Sequence, residues 1–107
     1  MSIAALIEAV EAGTADSGHF MTVFVWRDKL GLKANGAIVW DAYNGSLDAA
    51  KALHEALLPG IMWVRSPNGQ FCLFDRNAEE VSYSFEKDSN TARAWLLAIL
   101  RAKEEGK

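Results

Sequence analysis

A chain of 107 residues, half of them hydrophobic, is long enough for one core and too short for a catalytic domain with a regulatory companion, so a single domain over 1–107 is expected. With 14 acidic against 11 basic side chains and a formal charge of -3, no global positive field draws it to nucleic acid. The one cysteine, Cys72, excludes an internal disulfide and a thiolate zinc site, and its setting in FCLF marks it as a small core side chain.

The N-terminal stretch MSIAALIEAVEAG lacks a basic leader and carries Glu8 and Glu11, so it does not read as a signal peptide. No apolar run approaches the length of a membrane span. A cytoplasmic protein with no membrane partner is expected. Ile3, Leu6, Ile7 and Val10 repeat at helical spacing and predict a short amphipathic helix ending near Gly13. His19–Leu32, HFMTVFVWRDKLGL, reads two ways. Its Phe, Thr, Val and Trp favour a strand. Ser17-Gly18 before it and Gly31-Leu32 at its end punctuate it like a helix. Lys33–Gly36 is loop-like, and Ala37–Tyr43, AIVWDAY, is a short fourth strand or an ordered loop.

Ser46 is a good N-cap for a clearer helix, with Asp48 in its first turn and Pro59-Gly60 as its stop. Leu47, Ala50, Leu53, His54, Leu57 and Leu58 line one face of it. Ile61–Ser66 and Gln70–Arg76, joined by Pro67-Asn68-Gly69, predict an antiparallel hairpin that is apolar on both faces. In VSYSFEKD, Val81, Tyr83 and Phe85 alternate with Ser82, Ser84 and Glu86, which predicts an edge strand with the aromatic face buried and the serine face wet. A last helix begins after Asp88-Ser89-Asn90, its apolar face made of Ala92, Trp95, Leu96, Ile99 and Leu100. A hairpin apolar on both sides needs cover on both sides. The expected fold is therefore α+β: a small antiparallel sheet of three to four strands covered by helices on both faces, an α/β/α sandwich.

The stretch GSLDAAKALHEALLPGIMWVR, Gly45–Arg65, resembles the phage ABA sandwich family, in which a Ser-Leu-Asp-Ala-Ala helix start leads to a Pro-Gly break and a Trp-bearing strand. TARAWLLAILRAKEE and LIEAVEAGT match its C-terminal and N-terminal helices. The resemblance implies this sandwich fold and a phage or prophage origin. It also implies that residues 19–30 are helical, capped by Asp16 or Ser17, with Phe20, Val23, Phe24, Arg27 and Leu30 near one face. That segment is more apolar and aromatic than the family pattern, which makes it either deeply buried or a contact surface. The resemblance implies no catalytic residue, because these accessory proteins share no assigned activity.

The residues themselves offer little chemistry. HExxH, GxSxG, Walker A and GxGxxG patterns are absent, and no metal or cofactor is expected. His54 reads as a hydrogen-bonded structural histidine and His19 as a solvated turn residue. Asp75, Glu79, Glu80, Glu86 and Asp88 read as solvated carboxylates rather than a metal site or an acid–base pair. Of the four tryptophans, Trp63 and Trp95 fall on core faces, while Trp26 and Trp40 flank the irregular region together with Phe20 and Tyr43. Candidate binding residues are therefore Phe20, Phe24, Trp26, Trp40 and Tyr43, with Arg65 and Arg76 as possible hairpin neighbours forming an anion site. Two readings follow. The first is a non-enzymatic interaction protein that binds a host or phage protein, an anti-defence inhibitor for example, or pairs with a second copy through Phe24–Trp26. The alternative is a small-molecule or nucleotide module built on Trp40 and Tyr43 with Arg65 or Arg76.

Overall fold

Ser46 and Asn90 start the two longest described helices by the same device. Ser46 Oγ accepts from Ala49 N at 3.1 Å, and Asn90 Oδ1 accepts from Arg93 N at 3.0 Å. A computed structural model of the chain describes residues 3–15, 35–85 and 90–106. The helices among the described residues are α1 (Ile3–Ala12), α2 (Asn35–Tyr43), α3 (Leu47–Leu57) and α4 (Thr91–Glu104). The strands are β1 (Met62–Arg65), β2 (Gln70–Phe74) and β3 (Glu80–Phe85), paired antiparallel in the order β1-β2-β3. The expected α+β fold with a three-stranded antiparallel sheet is what the chain adopts.

The β1–β2 turn follows from its residues. Gly69 N donates to Ser66 O at 3.1 Å, and Gly69 takes the left-handed conformation, φ 86°, that a three-residue hairpin loop needs at this position. In the β2–β3 turn, Asp75 Oδ1 accepts from both Asn77 N and Glu79 N, and Ala78 is held at φ 60°.

The segment 37–43 is part of α2, neither a fourth strand nor a loop. Its Ile, Val and Trp favour strands in isolation, but Val39, Ala42 and Tyr43 stand three and four residues apart and bury together against α3 and α4. Tertiary burial of that face overrides the local preference.

The core is organised around α4, which packs on β2 and β3 and also touches α1, α2 and α3. A helix enclosed in this way must be apolar nearly all round. Ala92, Ala94–Leu100 without a break, and Ala102 are all buried. Arg101 stands at the edge of this surface and ties three elements, pairing with Glu11 of α1 and donating to Tyr83 O of β3 at 2.9 Å.

Register fixes the two faces of the sheet. Trp63 lies opposite Leu73, and Leu73 opposite Ser82; Arg65 lies opposite Phe71, and Phe71 opposite Ser84. This inner face meets α4. Met62, Val64, Cys72, Phe74, Tyr83 and Phe85 alternate onto the outer face. Serine and aromatic faces of β3 are thus reversed relative to the sequence expectation: Ser82 and Ser84 are buried, while Tyr83 and Phe85 are exposed. The alternation itself is correct. The hairpin register places the serines beside Phe71 and Leu73 under α4, where small side chains let helix and strand approach.

Candidate functional site

Among the described residues, four of the six exposed large hydrophobic side chains stand on the outer sheet face. Met62, Val64, Tyr83 and Phe85 are 53%, 51%, 44% and 52% exposed, and no described helix packs on them. Tyr83 and Phe85 meet edge to face with ring centroids 5.9 Å apart. Cys72 sits between Val64 and Tyr83 in the register and is shielded by its larger neighbours. Burial pushes its thiol pKa up, with the Glu80 charge adding to the effect, so it is a poor nucleophile.

A second feature lies on the inner face at the β1 end. Trp63, Phe71 and Trp95 form a three-ring cluster: Trp63 to Trp95 is 4.6 Å between centroids, Phe71 to Trp95 is 4.7 Å and Trp63 to Phe71 is 6.0 Å. They line a cleft of about 250 Å³ with Leu47, Lys51 and Arg65. Trp95 is buried, but Trp63 is 43% exposed, so it forms a lip of this cleft and not the core position expected for it. Its strand is the short edge strand, which leaves one side of the ring uncovered.

The expected aromatic pocket around Trp40 and Tyr43 is filled from within the chain. The two rings stack at 5.6 Å, Tyr43 is buried, and the Arg93 guanidinium lies 4.0 Å above its ring. Arg93 Nε also donates to Tyr43 O at 3.0 Å. Arg65 belongs to the Trp63 cleft instead. Arg65 and Arg76 are not cross-strand neighbours, since Arg65 pairs with Phe71 and Arg76 sits in the β2–β3 turn, beside Gly60. Phe20, Phe24 and Trp26 lie outside the described residues, as do His19 and the helix expected over 19–30.

His54 is structural. It is buried, and its Nε2–H donates to Ile61 O at 2.6 Å while Nδ1 accepts from the Trp95 indole N–H at 3.1 Å. A carbonyl only accepts and an indole only donates, so the ring is held as the neutral Nε2–H tautomer. Burial lowers its pKa; the Ile61 carbonyl and Glu55 act in the opposite sense and are outweighed. Asp75 is likewise spent on the turn described above. Among the described residues no group of three or more His, Cys, Asp or Glu side chains is placed to hold a metal ion. No described helix is long and apolar enough to cross a membrane.

Comparison with known proteins returns nothing to set beside this geometry: no family model, curated protein or solved structure matches the chain.

Sequence reasoning identified the apolar character of both hairpin faces, which underlies the outer surface. It missed Tyr83 and Phe85 as surface residues. The β2–β3 register puts Tyr83 on the same face as Cys72 and Val64, but both hairpin faces are apolar, so only the packing of α4 on the other face shows that this one is outside.

Proposed function

We propose that this protein is a non-enzymatic protein-interaction module, an accessory protein of the phage or prophage type that its Gly45–Arg65 segment resembles, acting in the cytoplasm on a host or phage protein such as a component of a defence system. The observation that supports this reading is the outer sheet face. Half-exposed Met62, Val64, Tyr83 and Phe85 stand on one face of the sheet, and an exposed apolar patch of about 300–600 Å² on a small protein is commonly functional. A stable interface commits about 800 Å² per partner, so the patch supplies the apolar centre and needs a polar rim from surrounding residues. That proportion favours a partner with its own complementary surface over two copies stacked on this patch alone.

The test is affinity capture from a bacterial host lysate with the wild type and with Tyr83→Glu/Phe85→Glu, both checked for unchanged circular dichroism. One protein retained by the wild type and lost with the variant supports the reading. A wild type that retains nothing and sediments as a monomer, or a captured set that the variant leaves unchanged, overturns it.

A further inference from the structure

The aromatic cleft between β1, α3 and α4 shares none of its lining residues with the outer sheet face. Its floor is Phe71 and Trp95, both buried, and its lips are Trp63 and Leu47, both about half exposed. The floor is fixed from behind. Trp95 donates its indole N–H to His54 Nδ1 at 3.1 Å, and His54 Nε2–H in turn donates to Ile61 O at 2.6 Å. Phe71 stands on β2, paired on both sides by β1 and β3, with its ring stacked on Trp95 at 4.7 Å. The cleft is therefore preformed, and a molecule entering it does not have to order the floor.

The same bonds decide what the cleft recognises. Phe71 has no polar atom, and the one polar hydrogen of Trp95 is spent on His54, so the floor presents carbon alone. An ion resting on this floor loses hydration and gains no hydrogen bond from it, which selects a neutral molecule. The rings themselves select an aromatic one, because ring pairs in offset or edge-to-face contact, with centroids about 4.5–7 Å apart, gain more than their buried area alone supplies. Size sets the rest. An apolar cavity of about 150 Å³ holds one benzene ring. At about 250 Å³ this cleft has room for two fused rings.

We propose that this cleft is a binding site for a small neutral aromatic molecule of two fused rings. The molecule lies on the Phe71–Trp95 floor between the Trp63 and Leu47 lips, with any polar substituent at the mouth. Its recognition asks nothing of the charged side chains around that mouth. The site goes beyond the reading of the protein as an interaction module and uses none of the outer-face residues, so either surface can fail while the other stands.

Titration of the isotope-labelled wild-type protein with indole, followed by its amide and indole N–H resonances, tests it. Binding should saturate with a Kd at or below about 1 mM, the level within reach of a ligand this small. The largest shifts should fall on Leu47, Trp63, Phe71 and Trp95. Trp63→Ala and Leu47→Ser each remove one lip, and each should weaken indole binding, by about fivefold or more for Trp63→Ala and about twofold or more for Leu47→Ser. Both positions are about half exposed, and an otherwise unchanged amide spectrum shows that each variant keeps the fold. N-acetyltryptophanamide, which carries the same rings on a peptide unit, should bind no more tightly than indole. The proposal is overturned if shifts do not saturate by about 5 mM indole, if they centre outside the cleft, or if both folded variants bind as the wild type does. Binding of N-acetyltryptophanamide about tenfold tighter than indole also overturns it, because the occupant is then a side chain of a protein partner.

Discussion

Replacing Trp95 with Phe isolates the hydrogen bond that fixes His54. The smaller ring can keep much of the stacking on Phe71 and Trp63, while the 3.1 Å donor to His54 Nδ1 disappears. Leaving that buried acceptor unsatisfied costs about 1–3 kcal/mol, and the reduced ring volume adds about 1 kcal/mol. At pH 7.5 the variant should therefore be less stable by about 2–4 kcal/mol, a large share of the roughly 5–15 kcal/mol that holds a domain together. The pH dependence separates this cause from simple loss of packing. In the wild type the folded state keeps His54 neutral, its pKa lowered by burial, whereas the unfolded chain takes up a proton near pH 6.5. Stability from this group is therefore fully present above about pH 6.5 and is lost as pH falls toward the lower folded value, with a slope of at most about 1.4 kcal/mol per pH unit. Protonation puts a hydrogen on Nδ1, facing the indole N–H. Without the indole donor that conflict is gone, so the folded pKa rises and the variant loses less stability on acidification. Urea titrations followed by circular dichroism at pH 7.5, 6.5 and 5.5 measure this directly. The deficit of Trp95→Phe should shrink toward pH 5.5. Equal deficits at all three values would refute the assigned tautomer and its role.

Three further outcomes are expected from features of the turns, the strand core and the buried thiol. Ala78→Gly relieves a left-handed residue at φ 60° and should stabilise the protein by about 0.5–1 kcal/mol in the same urea titration; destabilisation would mean that the Ala78 methyl makes a contact worth more than the strain. Ser82 Oγ is buried and has no hydrogen-bond partner among the described residues, so Ser82→Ala should be neutral or stabilising by about 1 kcal/mol, with a melting temperature equal or higher; a clear drop would show that the hydroxyl is bonded in solution. Cys72 should react with an aromatic disulfide reagent only slowly at pH 8 and quickly once urea unfolds the chain, because burial and Glu80 disfavour its thiolate; a fast native reaction would contradict its placement between Val64 and Tyr83.

The legible parts of the fold were those written in short stretches of sequence. Ser46 with Asp48 at the start and Pro59-Gly60 at the end define α3 without help from distant residues. Pro67-Asn68-Gly69 defines the hairpin in the same way. The misread parts depend on contacts between remote segments. Alternation in β3 gave the period correctly, but period alone does not say which face is inside. That choice belongs to α4, and α4 selects the face carrying Ser82 and Ser84. Helix α2 forms because Val39, Ala42 and Tyr43 are buried by elements that follow it in the chain. Tyr43 was readable as an aromatic anchor, but its partner is Arg93, fifty residues on, and nothing in the neighbourhood of either residue announces the pairing. The β1 cleft was divided in the sequence between a core tryptophan and an anion-site arginine; only the sheet register joins Trp63 and Arg65 on one face.

The position of α4 in the chain has a consequence for biosynthesis. This helix follows every described element that it contacts, and among the described elements it is the one partner that α1, α2, α3 and the sheet share. Without that helix Phe71, Leu73 and Leu53 lack the surface that α4 supplies, so closure of this core is expected only once residues 91–104 are present. A stop codon or a protease cut before residue 91 removes the helix that α1, α2, α3, β2 and β3 all contact, and with it the shared side of their core.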